Sequence, residues 1–275
     1  MRLSNDNYQV EFSLKGAEIT SFKAKDSGIE YIWSGDQKYW GNRNPILFPV
    51  IGSSVDNKYH FDNEEYEMGN HGFLRYAEFE FVSQHENSLT MKYGSNSETL
   101  KQYPHQFEIY VTYTLLENTL KIAYHIRNID YKPLPFNFGL HPAFNCPLIK
   151  SEDFNDYWIE FSNQNALYSN LWDNKQIVEK IKLDYKKFKE HPTWMFTEIS
   201  SDEIIMTNGS HGVKVGIVGF PVVAVWTPEA PFVCLEPWLG LGRTTPSKIE
   251  FAKRDATALV EPDRFRLVTY HITVF

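Results

Sequence analysis

Phe107-Glu108-Ile109-Tyr110-Val111-Thr112-Tyr113-Thr114-Leu115 sets an apolar side chain at every second residue, with polar or amphipathic ones between. A period of two is the signature of a strand with one face buried. After Glu117-Asn118-Thr119 the pattern resumes with Leu120, Ile122, Tyr124 and Ile126 on one face, as in a β-hairpin with a short polar connection. Similar segments recur outward in both directions: Gln9–Leu14, Glu18–Lys23, Phe79–Val82, Leu89–Tyr93, Leu134–Phe138, Trp158–Phe161, Ile204–Thr207, Gly212–Val218, Val222–Trp226, Phe232–Glu236 and Phe265–Val274. Only Ile177–Glu190 carries apolar residues near helical spacing, at Ile177, Ile181, Tyr185 and Phe188, and it reads as a helix or as a loop with one helical turn. Strands without intervening helices predict an all-β protein, a large antiparallel β-sandwich. No repeat, low-complexity tract or Pro/Gly/Ser-rich linker interrupts the chain, so residues 1–275 are expected to form one domain.

Composition narrows the function. The 275 residues are 42% hydrophobic and 16% aromatic, which excludes a disordered chain. With 27 Lys+Arg against 35 Asp+Glu, the net charge is −8 and the basic residues are scattered, which argues against a nucleic-acid partner. The apolar run Val215 to Pro228 is broken by Pro221 and is too short for a membrane span of about 20 residues. Met1-Arg2-Leu3-Ser4-Asn5-Asp6-Asn7 lacks the apolar segment of a secretory signal, and two cysteines, Cys146 and Cys234, are too few to staple so long a chain. A cytoplasmic protein with reduced thiols is expected. No phosphate-cradling glycine loop, nucleophile elbow or Cys/His metal cluster is present, since the nine histidines are dispersed.

Four segments place polar side chains where Gly or Pro turns the backbone out of a sheet. Trp40-Gly41-Asn42-Arg43-Asn44-Pro45, running into Ile46–Gly52, puts Arg43 at the mouth of a buried stretch, where its guanidinium offers a fork of donors. Gly69-Asn70-His71-Gly72-Phe73-Leu74-Arg75 flanks an imidazole with glycines. In Phe138-Gly139-Leu140-His141-Pro142-Ala143-Phe144, Pro142 holds His141 in an extended backbone. Cys234-Leu235-Glu236-Pro237-Trp238-Leu239-Gly240 ends an apolar strand on a carboxylate, whose pKa burial would raise toward that of a useful base. Each motif alone has an ordinary structural explanation.

Taken together, in this order and with 70 residues from His71 to His141 and 95 from His141 to Glu236, the four segments resemble the aldose 1-epimerase (galactose mutarotase) superfamily, and specifically its LacX-like branch. The resemblance spans essentially the whole chain. It implies the supersandwich fold with a sugar on a concave face, Glu236 as general base, His141 as general acid, His71 as the second histidine of the site and Arg43 as a substrate-binding arginine. Two departures matter: the acidic ligand that binds sugar hydroxyls in the galactose enzymes has no clear counterpart, and the His71 segment carries Phe73 and Arg75, as in hexose-6-phosphate relatives. Trp238, Trp226 or Phe73 would stack on a pyranose. The chemistry this implies needs no metal or other cofactor, only a small-molecule sugar. Alternatives stay open: a hexose-6-phosphate substrate, a non-catalytic sugar-binding or sensing module, and a two-carboxylate glycosidase, which is disfavoured because Glu236 has no carboxylate partner in an equivalent motif. Whether the chain forms a homodimer is also open.

Overall fold

In the computed structural model, which describes residues 1–54, 56–163, 166–241 and 249–275, antiparallel sheets dominate. A nine-stranded sheet runs, edge to edge, through Ile181–Lys182, Trp158–Phe161, Glu203–Thr207, Gly212–Gly216, Phe265–Val274, Thr119–Asn128, Phe107–Leu116, Ser88–Gly94 and Glu80–Gln84. Its centre is the hairpin read from the sequence, in which Leu116 pairs with Thr119 around a two-residue turn and Glu117 takes φ 52°. An eight-stranded sheet runs through Gln176–Ile177, Ala166–Ser169, Thr193–Thr197, Val222–Trp226, Phe232–Leu239, Phe138–Leu140 and Ile46–Leu47, with Ala143–Asn145 also pairing onto Phe232–Leu239.

The pleat explains why the sheets stack. Ile109, Val111 and Tyr113 from the first and Val223, Val225, Val233 and Leu235 from the second, all fully buried, meet in one apolar cluster that draws residues from Leu3 to Val274. Tyr124 meets Phe138 with ring centroids 4.9 Å apart, and Phe161 meets Phe196 at 5.2 Å, across the gap between the sheets. Burying each such side chain contributes roughly 1.5–3 kcal/mol.

Three sequence expectations are corrected. Of the two readings of Ile177–Glu190, the continuous helix is excluded and the short helical piece is closer: Ile177 and Ile181 lie in short strands, and helix is confined to Tyr185–Glu190, capped by the Asp184 carboxylate accepting from the Lys186 N–H at 2.8 Å. Ile181 and Leu183 also fit a period of two, and the cap at Asp184 decides where helix begins. Leu134–Phe138 splits at Asn137, whose N–H donates to the Pro49 carbonyl; Leu134–Phe136 pairs with Ala258–Val260, while Phe138 joins the eight-stranded sheet. Gly212–Val218 ends at Gly216, and Val218 is exposed. Among the described residues no helix is long and apolar enough to cross a membrane.

Candidate active site

On strand Phe232–Leu239 the pleat sends Val233 and Leu235 into the main core and Cys234, Glu236 and Trp238 to the opposite face. Two interrupted pieces, Phe138–Leu140 and Ala143–Asn145, pair with this one strand. The register that pairs Gly139 with Trp238 and Ala143 with Cys234 carries His141, in the break, opposite Glu236. His141 Nε2 lies 3.2 Å from Glu236 Oε1. Gly139 makes room beside the pair: a Cβ there would come within 2.9 Å of the Trp238 ring and 3.1 Å of Leu47 and Ile51.

Two loops close over this outer face. The first brings Trp40, which stacks on the His141 ring at 4.8 Å while Trp226 meets that ring edge-on at 5.5 Å. The second brings His71 at right angles to His141, with centroids 5.8 Å apart. His71 has φ 65° and Gly72 φ 69°, and a Cβ on Gly72 would sit 2.2 Å from the Phe48 carbonyl oxygen, so only glycine fits there. A left-handed histidine costs conformational free energy and is held by reciprocal bonds: its N–H donates to the Gly52 carbonyl at 2.7 Å, and the Gly52 N–H donates to its Nδ1 at 3.0 Å. Because Nδ1 accepts, the neutral ring carries its proton on Nε2.

Burial sets the electrostatics. Glu236 is 1% exposed, and loss of water pushes its carboxyl well above the usual carboxylate range, with the Trp238 indole opposing the rise to a lesser degree. Burial, reinforced by His71, pushes His141 well below the usual imidazole value. His71 is lowered to about 4, by burial first and then by the Arg75 charge. Both shifts of the pair favour its neutral form, one proton shared between an acid and an imidazole. Glu236 Oε2 and His141 Nδ1 are buried without a hydrogen-bond partner.

The pair opens into a cavity of about 600 Å³, walled by Trp40, Ile51, Met195, Trp226 and Trp238 and edged with polar groups from Ser53, Asn70, His71, Arg75 and Thr193. That size, with apolar walls and convergent polar groups, suits a small organic ligand. Of the residues singled out in the sequence, His71, Arg75, His141, Trp226, Glu236 and Trp238 line it. Arg43 and Phe73 do not. The Arg43 guanidinium packs over Gly35, 3.8 Å from the Glu18 carboxylate, whose other oxygen accepts the Arg43 and Asn44 N–H groups; Arg43 thereby ties down the loop that carries Trp40. Phe73 turns inward, edge-on to Phe48 and stacked with Phe107, each at 6.2 Å. Arg75 bonds the Tyr76 hydroxyl and, among the described residues, has no carboxylate partner. Trp40 and Asn70 sit inside the quoted motifs but were not singled out; Thr193 and Met195 come from a strand with no sequence signal of its own.

For a metal, the candidate ligands are His141, Cys234 and Glu236, whose donor atoms all lie within 4.8 Å of one another. Both cysteines are free and buried.

An antiparallel supersandwich with a buried acid/imidazole pair under a tryptophan-walled cavity defines a class of carbohydrate-acting proteins. The chain belongs to the aldose 1-epimerase family, whose model matches residues 1–238. It is 33% identical over 264 residues to the plasmid LacX protein of Lactococcus lactis subsp. lactis, covering 88% of each chain. Among solved structures it is similar to a galactose mutarotase related enzyme from Lactobacillus acidophilus (TM-score 0.93, 26% identity, 100% of this chain and 97% of that one). A galactose mutarotase-like protein from Lactobacillus casei ATCC 334 has TM-score 0.90 and 25% identity, with 100% and 99% covered.

Proposed function

We propose that this protein is an aldose 1-epimerase that interconverts the α and β anomers of a hexose. The observation that carries the reading is the His141–Glu236 pair, buried and 3.2 Å apart at the cavity floor. The shared proton first passes from Glu236 to His141 across the 3.2 Å contact; Glu236 then takes the proton of the anomeric hydroxyl while the C1–O5 bond breaks and His141 gives its proton to O5, leaving an open-chain aldehyde. Rotation about C1–C2 presents the other carbonyl face. O5 then attacks C1, its proton returns to His141, and Glu236 returns its proton to O1. A pair holding one proton and one vacant lone pair performs both transfers, each worth about 10²–10⁴-fold when positioned. His71, protonated on Nε2, donates to a ring or hydroxyl oxygen, and Trp40, Trp226 and Trp238 cover the apolar sugar face. Two free thiols fit a reducing, cytoplasmic setting.

Arg75 favours a second reading, a hexose phosphate. It lines the cavity, lacks a carboxylate partner among the described residues, and keeps a buried Nε without a hydrogen bond. A guanidinium so placed can grip a dianion at one end of the sugar.

Polarimetry on freshly dissolved α-glucose, α-galactose and their 6-phosphates tests both readings. Enzyme-dependent loss of rotation is expected for at least one sugar. A strong preference for a phosphate that disappears in Arg75→Ala selects the second reading, and no acceleration with any sugar leaves only a binding module.

A further inference from the structure

Cys234 has no part in the proton transfers, yet its Sγ belongs to the one group of three metal-capable side chains found among the described residues. It stands two residues before Glu236 on the same face of the same strand, with His141 on the pairing segment opposite. We propose that His141, Cys234 and Glu236 form a site for a thiophilic divalent cation, Zn²⁺, and that its occupancy reversibly silences the enzyme.

The geometry suits the ion. A tetrahedral centre bound by nitrogen and oxygen at about 2.0–2.1 Å has its two donors roughly 3.3 Å apart. His141 Nε2 and Glu236 Oε1 are already 3.2 Å apart. With a sulfur at about 2.3 Å the corresponding edge is roughly 3.5 Å; one ligand atom from each of the three residues lies within 4.8 Å of the other two, so Cys234 Sγ has to draw inward for the set to close on an ion. Glu236 Oε2 is buried without a hydrogen-bond partner on a residue that is 1% exposed, so the carboxylate has a second oxygen that can turn onto an ion. One imidazole, one carboxylate and one thiolate are a zinc set rather than a magnesium or calcium set, which requires oxygen ligands. The fourth position faces the cavity and takes water or a sugar hydroxyl. On binding, the ion replaces the thiol proton and the proton shared by His141 and Glu236, which leave to solvent. Inhibition follows because the lone pairs that accept the anomeric proton are then bound to metal. Only this consequence rests on the proposed acid/base chemistry; binding does not.

The test uses the full chain, stripped with a chelator and dialysed, in wild type, Cys234→Ser, Cys234→Ala and the control Cys146→Ser. Calorimetric titration with ZnCl₂ is expected to show one ion per chain in wild type and Cys146→Ser, weakened at least about tenfold in both Cys234 variants. Titration with Co²⁺ should give a thiolate-to-metal charge-transfer band that those variants lack. Zn²⁺ should slow wild-type anomerisation and a chelator restore it, while Cys234→Ser keeps the basal rate and resists the ion. Absence of a stoichiometric ion in wild type, or Cys234 variants that bind as tightly as wild type, overturns the proposal. The calorimetric and cobalt measurements do not depend on turnover, so a protein inactive on every sugar would sink the functional reading while leaving the site to be decided by them.

Discussion

The outward faces of the two sheets are built by the same pleat and end up as different chemistry. On the nine-stranded sheet, Thr90, Thr112, Thr119 and Thr273 point outward and pair across strands at 3.0 and 2.9 Å, Arg127 reaches Glu108 at 2.7 Å, and His271 meets Glu203 at 2.9 Å. These groups sit at the water boundary with their hydrogen bonds made. On the eight-stranded sheet the outward positions hold Cys234, Glu236 and Trp238, and loops carrying Trp40 and His71 shut out solvent. Buried polar atoms there are left without partners, a condition that costs stability and that functional sites tolerate. The difference lies in the covering loops and not in the strands.

The largest effect separating the faces should come from His141→Asn, which removes the imidazole beneath Trp40. A loss of about 10²–10⁴-fold in kcat is expected by polarimetry, with an unchanged circular dichroism spectrum. The double variant with Glu236→Gln should be little worse than either single one, because the two groups act as a unit. Additive losses would mean that they work separately.

Trp40→Ala opens the cover without touching the acid or base. We expect a rise in KM from the lost stacking surface, and a relaxation of both shifts: water re-enters, the Glu236 carboxyl falls and the His141 imidazole rises toward their ordinary ranges, so the alkaline limb of the pH–rate profile, set by Glu236, moves to lower pH and the acidic limb, set by His141, to higher pH. An unmoved limb would show that Trp40 does not seal the pair.

Stability should bear the same signature. Glu236 is raised by burial, so the native state holds its proton more tightly than the unfolded chain, and this group's contribution is lost as pH rises above the ordinary carboxyl range. Glu236→Gln should therefore raise Tm at pH 7. His71 and His105, each pushed down to about 4 with burial the main cause, act with the opposite sign. Between about pH 6.5 and 4 the unfolded chain binds their protons and the native state does not, so stability falls on acidification. Urea unfolding at pH 7 and 5 should show that fall, reduced in His105→Gln.

The smallest effect belongs to the nine-stranded face. Thr112→Ala should cost about 0.2–1 kcal/mol in urea unfolding and leave anomerisation unchanged. A marked loss of activity would show that the open face contributes to the reaction.

What could be read in the sequence follows from the same physics. Alternation over Phe107–Leu115 and Leu120–Ile126 exposes a strand directly, because one face must be apolar. Ile177–Glu190 misleads because Ile181 satisfies both a helical and a strand period until pairing with Trp158–Phe161 decides. His141 and His71 were legible because Gly and Pro mark the places where the chain leaves a strand; Glu236 was picked out by the same signal, but its strand does not end on the carboxylate and runs on through Pro237 to Leu239, so the pleat rather than a break aims it at the cavity. Arg43 and Phe73 were misplaced for a different reason: position within a motif does not say which way a side chain turns, and Glu18, which captures Arg43, lies 25 residues away in the chain. Thr193 and Met195 could not be found, since only the pairing of Thr193–Thr197 with Val222–Trp226 brings them beside the cavity.

The most direct measurement is the exchange rate between hexose anomers at equilibrium, read by two-dimensional exchange NMR with wild type and with Glu236→Gln at equal concentration. Using the sugar that polarimetry selects, wild type should accelerate exchange between the two anomeric signals, and the folded Glu236→Gln protein should fall to near the buffer rate. A folded Glu236→Gln protein exchanging anomers at close to the wild-type rate would contradict the assignment of the buried His141–Glu236 pair as the proton-transfer device.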